Sequence, residues 1–131
     1  MQTLPLIRVR GLKPVPWGSG NNEWLWRKAL ANQGRLVRAG MRLPPILPSA
    51  HFAVEIIFYM TVVRIQRADL DNLAKPVLDT LFRTPRPQVP DLSLTGAVFE
   101  MDDSSVFRLV LEKRLVAADK DEGADISISW S

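Results

Sequence analysis

In the stretch HFAVEIIFYMTVVRI, residues 51–65, every even position from Phe52 to Val62 is apolar, while the odd positions include Glu55 and Thr61. A period of two is the spacing of side chains on one face of a β-strand, and the β-branched and aromatic content suits that geometry. This is the strongest strand signal in the chain, and it reads as a central strand. It delivers the chain into RADLDNLAKP, residues 67–76, where Asp69 and Asp71 lie two apart and Lys75 follows four beyond.

The neighbouring segments fall into place around it. LPLIRVRG, residues 4–11, reads as a first strand with Ile7 and Val9 on one face and Arg8 and Arg10 on the other. A Pro/Gly loop follows, and Ser19, Asn21 or Asn22 is the expected cap of the next helix. That helix, residues 22–40, carries Trp26, Leu30 and Val37 on one stripe. Lys28 and Arg35 share another stripe, with Arg27 and Arg38 beside it; Gly34 weakens the helix. The basic stripe is either a solvated face or a surface laid against phosphates. Three prolines in MRLPPILPS end the segment.

After the aspartates, LAKPVLDTLF has a helical pattern. Pro76 places the start of that helix near Asn72 or Leu73, since proline is tolerated in a first turn, unless the proline kinks a longer helix. Asp69 and Asp71 then sit on the strand-to-helix turn. Residues 83–96 are proline-rich and read as a loop. Residues 97–115 read as a short strand, an Asp-Asp turn at Asp102 and Asp103, and a longer strand. ADKDEG is a turn. In ADISISW, Ile126, Ile128 and Trp130 alternate inward against Asp125, Ser127 and Ser129. The β-α-β-α-β-β order predicts one α+β domain over residues 1–131, two layers with a mixed sheet packed against helices.

Composition removes whole classes of chemistry. The 131 residues contain no cysteine and a single histidine, His51, which excludes disulfides, thiolate sites, cysteine nucleophiles and histidine-rich metal sites. No uncharged apolar run reaches the length of a membrane span, and the charged N-terminus does not read as a secretory leader, so a soluble, intracellular (cytoplasmic) protein is expected. The net charge of +3 is unevenly laid out. Residues 1–50 hold eight Lys/Arg and one acid; residues 51–131 hold nine Lys/Arg and thirteen acids. A basic half beside an acidic one suggests an anion-binding surface next to a carboxylate cluster.

Two carboxylates two residues apart at a strand end can ligate one hard cation, and Mg²⁺ takes one or two carboxylates plus waters and substrate phosphate. By itself D-x-D is weak, since an N-cap aspartate beside a solvated one gives the same string. Lys75 adds a cation for phosphate charge growing in a transition state, or simply a salt bridge to Asp71 or Asp79. Asp102 and Asp103 add a repelling pair that a cation would relieve, or an exposed turn.

The string RADLDNLAKPVLDTLF followed by DDSSV resembles the signature of the RusA-type Holliday-junction resolvases, with agreement at Asp69, Asp71, Asn72, Lys75, Asp79, Leu81, Asp102, Asp103 and Val106. The resemblance implies a RusA-like fold and a homodimeric, Mg²⁺-dependent (or Mn²⁺-dependent) endonuclease that nicks four-way or otherwise branched DNA in symmetric pairs. It implies Asp69, Asp71 and Asp103 as catalytic metal ligands, Asp102 as an assisting ligand and Lys75 as the catalytic lysine. Arg27, Lys28, Arg35, Arg38, Arg64 and Arg67 are the cations expected to meet DNA. Trp24 and Trp26 are candidates for either a dimer interface or the core. The chain departs from the resemblance in its long, proline-rich link between Asp79 and Asp102. Two other readings remain: a relative of the same fold that binds branched DNA without cutting it, and a D-x-D nucleotide-sugar transferase. The latter is disfavoured by a chain too short for a second substrate domain.

Overall fold

The alternating stretch forms the middle strand of a five-stranded sheet in the computed structural model, which describes residues 1–85 and 89–131. In chain order the elements are β1 (Gln2–Thr3), β2 (Ile7–Arg10), α1 (Asn21–Ala39), β3 (Phe52–Met60), α2 (Val62–Ile65), α3 (Leu70–Leu81), β4 (Val106–Leu115) and β5 (Gly123–Trp130), with single 3-10 turns at Leu92–Leu94, Asp103–Ser105 and Asp119–Asp121. β3 pairs with β4 in parallel and with β5 antiparallel, and β1 and β2 both pair with the far side of β5. This is the expected α+β architecture with a mixed sheet. Among the described residues no helix is long and apolar enough to cross a membrane.

The period of two decides which way the sheet faces. Phe52, Val54, Ile56, Phe58 and Met60 are all buried, and Ile7, Val9, Ile126, Ile128 and Trp130 join them beneath α1 and α3. Each such side chain contributes roughly 1.5–3 kcal/mol of burial energy. Phe52, Phe82, Phe99 and Trp130 meet edge-on and stacked at one end of this core. The outer face is polar. Asp125 lies on this outward face, as expected, and is covered there by Arg8, Arg10 and Tyr59, with contacts of 3.1, 2.8 and 3.0 Å. Burial alone would raise its pKa; the hydrogen bonds from Arg8, Tyr59 and Arg10 outweigh that and hold it below the ordinary carboxylate value.

Gly34 allows α1 to cross α3 closely. A Cβ at this position would lie 2.8 Å from Val98 Cγ2 and 3.0 Å from Leu81 Cδ2. The glycine that weakens the isolated helix is what lets the two helices touch.

Four expectations are corrected. The strand stops at Met60: the backbone N–H of Thr61 donates to Glu122 Oε2 at 3.3 Å, Arg64 pairs with the same oxygen at 3.4 Å, and Val62 turns outward in α2 instead of extending β3. Ser19, Asn21 and Asn22 do not cap α1; Gly20 occupies the cap position, and Glu23 instead reaches back to accept from the Gly18 N–H at 2.6 Å. Residues 97–99 form no strand, because their amides donate to Thr80 and Leu81 at the end of α3. Helix α3 begins at Leu70, so Pro76 lies well inside it and Asp71 belongs to its first turn, while Asp69 stays at the junction as N-cap. In the expected loop over residues 83–96, positions 86–88 lie outside the described residues.

Candidate active site

Three pieces of chain meet along one side of α3. The first is the α2-to-α3 turn that presents Asp69. It is held from below by Lys113 of β4, whose ammonium donates to the carbonyls of Ile65 and Ala68 at 2.7 and 2.8 Å. Asp69 occupies the N-cap position in an extended conformation, yet its side chain makes no capping bond. Its carboxylate is exposed and not spent on the helix. Asp71 is also exposed, in the first turn, where negative charge is favoured by the helix dipole.

The second piece is the stripe Asp71, Lys75, Asp79, spaced four apart and so about 6 Å per step along the axis. Lys75 Nζ pairs with Asp79 at 3.5 Å, the arrangement set against a catalytic role in the sequence reading. Asp79 is buried, whereas Lys75 keeps half its side chain in solvent. The ammonium also sits 5.8 Å from the ring centre of Trp17, on the loop before α1. That loop is fastened to α3 by the Trp17 N–H, which donates to the Asn72 carbonyl at 3.0 Å.

The third piece is the Asp102–Asp103 turn leading into β4. Asp102 Oδ1 accepts from the Ser104 N–H at 2.8 Å and caps the short 3-10 turn. The Asp103 carboxyl is pushed up to about 6 by a hydrogen bond shared with Asp102, by partial desolvation, and by the negative charges of Asp102 and Asp79, with Lys75 pulling it back. Asp102 moves the other way, because it accepts from Asp103 and from the Ser104 N–H. Residues more than twenty positions apart thus share one electrostatic environment: Asp103 feels Asp79 and Lys75 across the gap between the β4 entry and α3.

Lys75 and Asp79 are paired, and Asp103 lies within reach of their charges, with Asp71 one helical turn from Lys75 and Asp69 at the helix start. Among the described residues no three acids lie close enough to hold one ion between them. The donor chemistry still suits a hard divalent cation, since every candidate ligand is a carboxylate and Mg²⁺ is commonly held by one or two plus water and phosphate. Asp69 with Asp71, or Asp103 beside Asp102, supplies that number.

The cations expected to meet DNA separate into groups. Arg27 is a correction: it is buried, donating to Thr80 Oγ1 at 2.9 Å and to the Leu94 carbonyl at 2.8 Å and pairing with Glu23 at 3.4 Å, so it ties α1 to α3 and does not face solvent. Arg38 donates to the Val98 carbonyl at 2.8 Å and Arg35 to that of Ser93, each bracing the chain that follows α3. Arg64 is half-buried against Glu122. Lys28 and Arg67 are exposed. Trp26 is wholly buried and belongs to the core. Two further residues shape the site: Asp79, which the resemblance matches without giving it a role, and Lys113. Asp79 carried a signal in its i, i+4 spacing from Lys75; Lys113 carried none, since its partners are backbone carbonyls of another element.

No protein-family profile matches this chain, and no curated protein matches it in sequence.

Proposed function

We propose that this chain is a Mg²⁺-dependent endonuclease that acts on four-way and other branched DNA, cutting it by paired symmetric nicks as a homodimer. The observation that carries the reading is that Asp103 feels the charges of Lys75 and Asp79 on the helix whose N-cap is Asp69 and whose first turn bears Asp71. The resemblance of these residues to the RusA-type signature supplies the reaction class.

Phosphodiester hydrolysis needs a deprotonated water in line with the leaving sugar oxygen and positive charge where the phosphoryl oxygens become more negative. A bound Mg²⁺ would lower the pKa of that water and offset the charge on the leaving oxygen. Asp69 with Asp71, or Asp103 with Asp102, would supply the one or two carboxylates such an ion takes, with water and the substrate phosphate completing its shell. Lys75, with half its side chain in solvent, offers a hydrogen-bond donor and positive charge to a phosphate oxygen. Asp79 keeps the lysine aimed along the helix, and Trp17 limits its sweep. Lys28 and Arg67 remain available for phosphates flanking the cut, and such contacts make binding strongly dependent on salt. Two nicks of opposite strands at one junction call for two sites related by a two-fold axis.

A labelled synthetic four-way junction incubated with the protein and Mg²⁺, resolved on a denaturing gel, tests the reading. We expect paired nicks that vanish with EDTA and with Asp71→Asn, while the variant still retards the junction on a native gel. Retardation without nicking in both Mg²⁺ and Mn²⁺ identifies the non-cutting DNA-binding relative instead. An Asp71→Asn variant that cuts at the wild-type rate contradicts the assignment.

A further inference from the structure

Among the described residues two large apolar aromatic side chains are exposed, Trp17 at 51% and Phe107 at 68%. They differ in what they leave free. Phe107 already has one face covered by His51, stacked with 3.8 Å between ring centres. Trp17 stacks on no other ring among the described residues, and its charged neighbour is the Lys75 ammonium, 5.8 Å from the ring centre.

The backbone that carries this indole is pinned. The Trp17 N–H donates to the Asn72 carbonyl at 3.0 Å, one residue past Asp71. The Gly18 N–H donates to Glu23 Oε1 at 2.6 Å, and the Ser19 hydroxyl donates to the Pro16 carbonyl at 2.7 Å. Glu23 is itself buried and paired with Arg27, so the loop is fixed to α1 as well as to α3. The Trp17 side chain takes part in none of these bonds. The ring is therefore held in place beside the lysine with half its surface uncovered. A rigid aromatic group presented in this way binds at low entropic cost.

We infer that Trp17 is a specificity-determining residue of the site: its ring stacks on the base of the nucleotide whose phosphate Lys75 binds, where that base has lost a neighbour at a branch point. The inference rests on the nuclease reading above. A phosphate and its own base are joined through one sugar, and Lys75 and the Trp17 ring are neighbours in the same way. Every base has a π face, so such a contact tolerates any sequence. In a duplex both faces of a base are covered, and an indole reaches one only by forcing the stack apart. At a branch a stack ends and a face is open without that cost. Lys75 alone would bind a phosphate in any DNA; Trp17 beside it favours the phosphate next to an interrupted stack.

Anisotropy of a labelled four-way junction and of a linear duplex of the same sequence, both in EDTA so that no strand is cut, is the test. Trp17→Ala keeps the backbone tether, and circular dichroism checks that it is folded. We expect it to weaken junction binding about tenfold and duplex binding by less than about twofold, and Trp17→Phe to restore most of the loss. With 2-aminopurine placed in turn at the bases flanking the crossover, one position should be dimmer in the wild-type complex than in the Trp17→Ala complex. A ring that only limits the sweep of Lys75 would slow single-turnover nicking at saturating protein and leave the junction-to-duplex ratio unchanged. That result, an equal loss on both DNAs, or no difference at any flanking base overturns the inference while the nuclease reading stands. A wild-type chain that prefers the junction without ever nicking it removes the nuclease reading instead, and the binding ratios of the Trp17 variants still decide the stacking.

Discussion

The backbone N–H of Trp17 occupies the Asn72 carbonyl at 3.0 Å, the acceptor that a helical N–H at position 76 would otherwise use. Pro76 has no N–H to give, so the interior proline opens a docking point for the loop that lays Trp17 beside Lys75. The proline that looks like a helix boundary in the sequence is a tether for the site. Pro76→Ala should return the Asn72 carbonyl to the helix and release the loop. Hydrogen exchange at the Trp17 amide checks this, with exchange expected to rise about tenfold or more while the β3 amides keep their protection.

Lys113 bonds to two carbonyls on the turn that carries Asp69. Lys113→Met leaves them without that donor, and we expect a loss of about 2 kcal/mol in urea unfolding. The turn should loosen with it, so junction nicking should fall in the folded variant as well. Unchanged stability would mean that water replaces the ammonium without cost.

Arg27 and Lys28 are adjacent in sequence and opposite in role. Arg27→Met leaves Glu23 buried without its cation, and unfolding should become easier by about 3 kcal/mol. Lys28→Ala and Arg67→Ala should leave stability within about 0.5 kcal/mol. Each should reduce the steepness with which junction binding weakens as salt is added. Fluorescence titration of labelled junction at several salt concentrations separates the two outcomes.

Asp103 makes a pH-dependent contribution of determinable sign. Its carboxyl has an ordinary value of 3.8 and is raised to about 6 in the folded chain. The folded state therefore holds the extra proton between those values, and stability falls as pH rises across that window, remaining lower above it. The side chain is largely in solvent, which screens the effect to about 1 kcal/mol or less. Asp103→Asn should raise the melting temperature at pH 7.5 relative to wild type and leave it nearly unchanged at pH 4, while abolishing nicking. Mg²⁺ should raise the wild-type melting temperature at pH 7.5 more than that of the variant.

Periodicity read the parts of this fold that answer to local pattern. The inward faces of β2, β3 and β5 and the Trp26–Leu30 stripe of α1 are where the spacing puts them. What failed depended on partners far along the chain. Thr61 and Arg64 turn the strand into α2 because Glu122 meets them there. Arg27 left the basic stripe because Thr80 and Leu94 receive it. Asp125 faces outward as the alternation has it, but its burial there comes from Arg8, Arg10 and Tyr59, which close over it. The site divides in the same way: the D-x-D and Lys75 are legible as a local string, whereas the charge coupling of Asp103 to Lys75 and Asp79 depends on the fold.

The most direct test of a single shared site is a double-mutant cycle on nicking of a four-way junction in Mg²⁺, with Asp71→Asn, Asp103→Asn and the two combined. If both carboxylates serve one reaction centre, each single variant should lose about 10²-fold or more in single-turnover rate, and the double variant should be scarcely slower than the worse single. Losses that multiply across the cycle, or a single variant that cuts at the wild-type rate, would contradict the shared centre.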